Sequence, residues 1–443
     1  MPGTMPRAGG WRKPVLQTPP VIPEPAGEDL ARGRLLAGFP ALRHRNFRLF
    51  ILGQGISLVG FWMQNVAQGW LVYRLSGSPL ALGAVAFAGY LPILCLAPVA
   101  GVIADRVPRH RVVVATQASL MLLALVLAIL VWREAASVPL IVAFAGAVGT
   151  VSALDIPARQ SFLIEMVGAD DLPNAIALNS SIFNGARVLG PAIAGSLVHA
   201  VGEAPCFFLN AVSYMAVLVA LLRMRVRRPP APAQLQPLGT GFVSGLRYVW
   251  GAPPLRTLLV LLGAVCGLSV QYAMLMPVFA RTVFDAGAEG YGLLLTAGGI
   301  GAMLSSLQLA TRRYSRLAHR RNLLLGLVTF AGGVLRLAAS PRLEVALFCH
   351  TIAGFGVVRY LATTNTLLQL IVEEPYRGRV MGLHTVMFLG TQPFGSLFLG
   401  WLAARSSAPT AAVVSGSVAL AATGWLAIRL RRVAAREQAA RHA

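Results

Sequence analysis

This sequence has little charge. Of its 443 residues only 12% are Asp, Glu, Lys or Arg, about half the share found in an ordinary soluble domain. Acids are the scarcer sign, with 16 Asp plus Glu against 38 Lys plus Arg. Lysine is nearly absent, Lys13 being the single example. A phosphate-cradling GxxxxGK[ST] loop needs a lysine beside a hydroxyl residue, and Lys13 is followed by Pro14. Nucleotide hydrolysis of that kind is therefore excluded. HExxH and GxSxG are missing too, and nothing else in the chain reads as an enzyme's nucleophile or metal site. The four cysteines, Cys95, Cys206, Cys266 and Cys349, lie in or beside apolar runs without paired spacing. They read as small hydrophobes, so neither a disulfide framework nor a bound metal is expected.

What fills the chain instead is apolar. Hydrophobic residues make up 56% of it and mean hydropathy is +0.67. Runs such as "LPILCLAPVAGVIA", "LMLLALVLAILVW" and "MAVLVALL" sit in stretches of roughly 20 residues, enough to cross a hydrocarbon core of about 30 Å. Reading those runs against charges and Gly/Pro breaks predicts twelve spans. Six fall at 49–73, 79–104, 112–132, 138–158, 172–200 and 205–222, and six at 257–280, 290–311, 322–340, 343–362, 380–403 and 409–428. The expected fold is an all-α polytopic membrane protein, twelve transmembrane helices in two six-helix bundles (49–222 and 257–428). Residues 1–48, proline-rich in "TPPVIPEPAGEDL", are expected to be a disordered tail with no cleaved signal. Residues 223–256 form a basic linker whose second part reads as a short surface helix, and 429–443 a second tail.

Orientation follows from the arginines. Arg74, Arg133, Arg281, Arg336, Arg342 and Arg405 fall on one set of loops and span ends, and Arg187 and Arg359 inside spans; all other basic residues fall on the opposite side, with both termini. The positive-inside rule places that basic side, and with it both termini, in the cytoplasm. The net charge of +22 then reads as a topology signal and an attraction to anionic headgroups, not as nucleic-acid binding.

The two halves resemble each other. "QSFLIEMVGADDLPNAIALNSSIFNGARVLGPAIAG" follows the fourth span and "NTLLQLIVEEPYRGRVMGLHTVMFLGTQPFGSLFLG" the tenth. Each runs through an amphipathic segment, an acidic turn, a polar-studded helix and a Gly/Pro break. Parallel six-helix repeats imply alternating access, with a substrate site between them near the midplane.

"GVIADRVPRHR" carries a family resemblance. It is similar to the loop 2–3 signature of the major facilitator superfamily, G-x-x-x-D-R-x-G-R-[KR]: Gly101, Asp105, Arg106 and Arg109 match, whereas Pro108 and His110 depart from it. More narrowly, "LRHRNFRLFILGQGISLVGFWMQNVAQGWLVYRLSGSPLALG", "DIPARQSFLIEMVGADDLPNAIALNS" and "RGRVMGL" resemble the enterobactin-exporter-like branch, which includes macrolide-efflux relatives. The resemblance implies a gate. Asp105 would cap the positive N-terminus of the eleventh helix, and Arg109 would pair with Asp155 or Glu165, these contacts breaking as the halves rock. A solvated, topology-setting loop is the other reading.

Polar residues within spans are costly and mark cavities or partners. Asp155, with Arg159 one turn on, reads either as a structural gate pair or as a proton carrier. Arg187 lies near the middle of the fifth span; Arg359, read as shallower, joins the gate set near the cavity's mouth. Two bases against one acid predict an electropositive cavity for an anionic or oxygen-rich small organic substrate. Gln64, Asn65, Gln68, Asn179, Asn184, Gln271 and Gln392 are candidate liners or interhelical glue. His350 and His384 are further candidates for proton coupling. Gly185, Gly190, Pro191 and Gly195 loosely match an antiporter-type fifth helix, in which Pro191 permits a kink. The expectation that the resemblance carries is a monomeric exporter of a siderophore-like or drug-like small organic molecule in a bacterial cytoplasmic membrane, needing no cofactor and driven by a proton gradient. An importer of the same fold and a non-transporting scaffold or receptor are the rivals.

Overall fold

In hydrocarbon every backbone N–H and C=O must be satisfied within its own segment or a closed barrel, and runs of about 20 apolar residues meet that demand as helices. The computed structural model describes residues 39–225, 238–311 and 316–442, with backbone alone for 97–106, 238–242, 316–317 and 430–442. Among the described residues there are helices and no strand. Eleven helical runs are long and apolar enough to cross a membrane. One of them, Val138–Val201, is 64 residues long and breaks at Gly168, where φ is 75° and ψ 177°. Twelve crossings result.

They are α1 Arg45–Ser76, α2 Pro79–Arg106, α3 Arg109–Trp132, α4 (138–167), α5 (169–201) and α6 Ala204–Leu222. After the short α7 Leu238–Gly251 come α8 Pro253–Val283, α9 Gly287–Ala310, α10 Arg316–Ala338, α11 Leu343–Ile371, α12 Glu374–Arg405 and α13 Ala408–His442. Both α1's start and α13's end lie on one side, called here the terminal side; the other is the far side.

Several boundaries differ from expectation. The segment 159–171, read as an amphipathic stretch and an acidic turn between two spans, is helical on both sides of Gly168. That glycine reverses the chain in one residue, using backbone angles that an L side chain rarely adopts. Gly168→Ala is therefore expected to cost about 1–3 kcal/mol, seen as a lower thermal midpoint in detergent. The first helix begins at Arg45, before the predicted 49, and α8 at Pro253, before 257. The last helix runs on to His442, because "VAAREQAARH" consists mostly of good helix formers. Pro157, Pro173 and Pro191 all sit inside helical backbone. Of the N-terminal tail, 1–38 lies outside the described residues, as does 226–237 of the linker.

The first bundle packs α1 on α5 and α6, α2 on α4, and α3 on α4 and α6; the second packs α9 and α10 on α11, and α8 and α10 on α13. Equivalent close approaches appear in both halves. A Cβ on Gly149 (α4) would collide with the carbonyl of Gly89 (α2), and one on Gly354 (α11) with that of Gly298 (α9). This is the small-residue packing that substitutes, in lipid, for a hydrophobic driving force between helices. Helices α8 and α12 are irregular. Pro277 cannot donate to Ala273, nor Pro393 to Leu389, and just before each the α pattern gives way: 3₁₀ over Val270–Leu275, and π over Val386–Gly390.

Candidate functional site

The bundles meet along two helix pairs, α2 with α12 and α5 with α9. The described close contacts lie towards the far side. Gly195 approaches Gly292 so closely that its Cβ would sit 2.9 Å from the Gly292 Cα, and a Cβ on Gly400 would sit 3.1 Å from the Gly83 Cα. Trp70 stacks on Tyr291 at 6.3 Å, and Arg281 lies over Tyr73 at 5.9 Å. Beside this seal, Arg74 makes a bidentate pair with buried Glu203 at 2.7 and 3.1 Å, tying α1 to the start of α6. Sequence reading missed Glu203, which looks like a loop acid until its partner is known.

Three charged residues lie at similar depth. Counted from the far-side ends of their helices, Arg187, Arg359 and Asp155 are 14, 16 and 17 residues in. Arg359 was read as shallower, near the mouth, because its span was ended at 362; α11 in fact runs to Ile371. Partners, more than depth, separate the three.

Arg359 donates to Gln308 Oε1 at 2.8 Å and to Asn322 Oδ1 at 2.5 Å, joining α9, α10 and α11. Those bonds stay within one bundle, so in this structure Arg359 braces α9, α10 and α11. Asp155, 3% exposed, accepts from Thr116 Oγ1 at 2.8 Å and Gln117 Nε2 at 2.9 Å, with Arg159 at 3.3 Å. Arg109 takes the other acid, Glu165, at 2.7 Å. Both clusters join α3 to α4 inside the first bundle, and of the two acids open to Arg109 it is Glu165 that pairs with it. Gly101, Asp105 and Arg106 fall where the backbone alone is described. Because hydrogen bonds to a buried charge contribute about 1.5–3 kcal/mol and surface pairs about 0–1 kcal/mol, Asp155→Asn should lower the thermal midpoint clearly more than Arg109→Ala. Differential scanning in detergent measures both.

Arg187 has no such partner. Its guanidinium lies 5.7 Å over the Trp62 ring, and no ion pair to it occurs among the described residues. Tyr90, Tyr272 and His350 lie within its electrostatic reach. Tyr272 and buried His350 belong to the other bundle and face each other at 3.3 Å between Oη and Nδ1, with His350 seated against Gly298. Trp62 meets Phe183 edge-on at 5.7 Å, and its buried Nε1 has no hydrogen-bond partner. The structure thus assembles one cation, three amphipathic aromatics and a histidine from both bundles. The aromatics were missed; the signal available was polar-tipped rings at mid-span, where plain aliphatics would serve packing equally well.

The predicted liners divide. Gln64 accepts from Asn210 Nδ2 at 2.6 Å, binding α1 to α6 as interhelical glue. Buried Gln271 and Gln392 bond to their own helices, at Cys266 O and Phe388 O. Asn65 and Asn184 do likewise, at Phe61 O and Ser180 O. Gln68 and Asn179 are half-buried. His384 stacks on Phe388 at 6.1 Å, away from the Tyr272–His350 pair. In α5, Gly190 presses on Trp62 and Gly195 on α9, Pro191 is buried between them, and Gly185 touches nothing within 4 Å. Among the described residues no group of three or more His, Cys, Asp or Glu could hold a metal.

Comparison with known proteins agrees with this architecture. The family described as transmembrane secretion effector matches residues 36–443. The chain is 28% identical to the multidrug efflux pump Tap of Mycolicibacterium fortuitum, over 79% of this chain and 86% of that protein. It is 29% identical to the staphyloferrin A transporter of Staphylococcus aureus (80% and 88% covered) and 26% identical to the enterobactin exporter EntS of Citrobacter koseri (84% and 89%). Among solved structures, a bacterial homologue of the human lysosomal transporter Spinster, inward-facing and occupied, superposes with a TM-score of 0.66 at 14% identity, covering 87% of this chain and 96% of that one. A twelve-crossing fold in two bundles, a cation between them with no counter-charge among the described residues, and a family match across nearly the whole chain lead to one conclusion: this is a multi-pass membrane transporter of the major facilitator superfamily, belonging to its transmembrane secretion effector family, and not an enzyme.

Proposed function

We propose that this transporter exports an anionic or oxygen-rich small organic molecule from the bacterial cytoplasm by alternating access, driven by a proton gradient. The observation that carries the reading is Arg187, a mid-membrane guanidinium with no acid partner among the described residues, flanked by groups from both bundles. A charge at that depth is tolerated where it meets water or a complementary ligand. Its planar fork suits carboxylates and other oxygen pairs better than an ammonium does. The efflux and siderophore-export functions named for relatives support the outward direction, and the basic terminal side supports a cytoplasmic location for both termini. Far-side contacts between α5 and α9 and between α2 and α12 match one half of an alternating cycle, in which the terminal side admits substrate.

Purified protein in proteoliposomes with an imposed pH gradient provides the test, using a panel of aromatic carboxylates, oxygen-rich chelators and lipophilic cations. The expected result is accumulation of an anionic or oxygen-rich compound in inside-out vesicles, with proton movement in the opposite direction. Accumulation in right-side-out vesicles alone would mean import, and absence of substrate-dependent flux for every compound would favour a scaffold or receptor. Asp155→Asn and His350→Gln are the arms for coupling. The carrier is the residue whose loss abolishes gradient-driven export and leaves substrate exchange intact.

A further inference from the structure

Helix α7 lies between the two bundles in sequence and immediately before α8, which it joins through Gly251 and Ala252. Its two faces have different employment. One face grips the turn that starts α12: Tyr248 and Tyr376 stack at 4.1 Å and 2°, Tyr248 Oη accepts from the Glu373 backbone N–H at 3.4 Å, and Arg379 donates to Ser244 Oγ at 3.0 Å. Gly245 lets the helices close, since a Cβ there would lie 2.9 Å from the Arg379 Cβ.

The other face is uncovered. Val243, Leu246 and Trp250 are 56, 40 and 61% exposed, and Arg247 is exposed between them. The spacing i, i+3, i+4, i+7 gathers them in one stripe. Arg256, at the start of α8, caps the stripe by lying 5.9 Å over the Trp250 ring and donating to the Trp250 carbonyl. This stripe continues into the outer surface of a membrane-spanning helix, where Val260 is half exposed. An apolar stripe with arginine on its flank and tryptophan at its end is the composition of a helix lying at headgroup depth.

We propose that α7 is an anionic-lipid site, its Val243–Leu246–Arg247–Trp250 stripe seated in the leaflet on the terminal side, and that lipid bound there steadies the start of α12 through the opposite face. The occupant follows from charge and position. The cations of the stripe and its cap are exposed Arg247 and half-buried Arg256, and the stripe lies at the mouth of a span. Each base near an anionic leaflet adds about fivefold to partitioning. Since α12 is one of the helices at the bundle interface, leaflet charge would bear on the element that has to move.

The test uses the full chain in vesicles of phosphatidylcholine, with and without 30% (roughly a third, enough to set a negative surface potential) phosphatidylglycerol. A spin label at Leu246→Cys, with exposed Cys95 replaced by alanine, reports oxygen against nickel-chelate accessibility; the other three cysteines are buried. Oxygen access with chelate exclusion is the expected result, and chelate access equal to that of a water-exposed loop would overturn lipid seating, as it would if a soluble protein is the true occupant. Backbone hydrogen exchange over 373–385 should slow at least about fivefold with phosphatidylglycerol, the effect of one base. Arg247→Gln, at an exposed position with no packing role, should remove most of that slowing at unchanged thermal midpoint. Equal slowing in wild type and Arg247→Gln would overturn the charge recognition, and no slowing in wild type would overturn the link to α12.

Discussion

Arg187→Ala is expected to weaken apparent affinity for an anionic or oxygen-rich substrate about tenfold to a hundredfold, since a charge-assisted hydrogen bond contributes about 1.5–3 kcal/mol. Folding should be nearly untouched, because the guanidinium makes no ion pair among the described residues and its one described contact is the Trp62 ring. Removing an unpaired cation leaves no orphaned acid behind. Arg187→Lys should restore only part of the affinity, as a point charge cannot reproduce the planar fork. Arg359→Ala makes the contrast. It deletes bonds to Gln308 and Asn322 and so should lower the thermal midpoint, with less effect on affinity. Substrate titration at matched surface expression measures the first, and unchanged affinity in Arg187→Ala would leave that residue without a binding role.

The comparison of those two arginines shows where a single sequence is informative. Span length, the inward-outward count of arginines and the internal repeat follow from solvation in lipid, which acts on composition and needs no partner to be known. Arg187 and Arg359 carry the same chemistry in similar apolar surroundings, and only the third dimension reveals that Gln308 and Asn322 satisfy one of them. Gln64 was ambiguous for the same reason, until Asn210 was placed against it. Asp155 and Glu165 were both open as partners of Arg109, and depth separates them: Asp155 lies level with Thr116 and Gln117, two turns further in, while Glu165 meets Arg109. The aromatic groups around Arg187 were hidden by their abundance, since Trp62, Tyr90 and Tyr272 look like any ring in a hydrophobic run. Gly168 was hidden differently: the polar "VGADDLP" reads as an acidic turn, yet one residue with positive φ suffices to turn the chain.

Glycines of the fifth helix supply the second large effect. Gly185, Gly190 and Gly195 were read together as one motif, but the structure gives them different neighbours. A side chain at Gly185 would meet open space, whereas one at Gly195 would enter the backbone of α9 at Gly292, Ala288 and Glu289. Backbone cannot swing aside as a flexible side chain does, so Gly195→Leu must push α5 and α9 apart on the far side. Neither bundle's internal contacts are involved, and the protein should still insert and purify as a monodisperse species. Closure of the far side should fail, and with it the return step of the cycle. Transport is expected to fall by about fivefold to a hundredfold, the equivalent of the about 1–3 kcal/mol that overpacking a tight contact costs. Gly185→Leu, on the same helix and with the same change in bulk, should transport nearly as the wild type does. A cysteine introduced at Trp70, which stacks on Tyr291 when the seal is made, reports the cause directly. Its reaction with a membrane-impermeant maleimide from the far side should be faster in the Gly195→Leu background than in the Gly185→Leu background. Equal labelling rates in the two would show that these helices part freely despite the added bulk, and the glycine contact would then be packing alone.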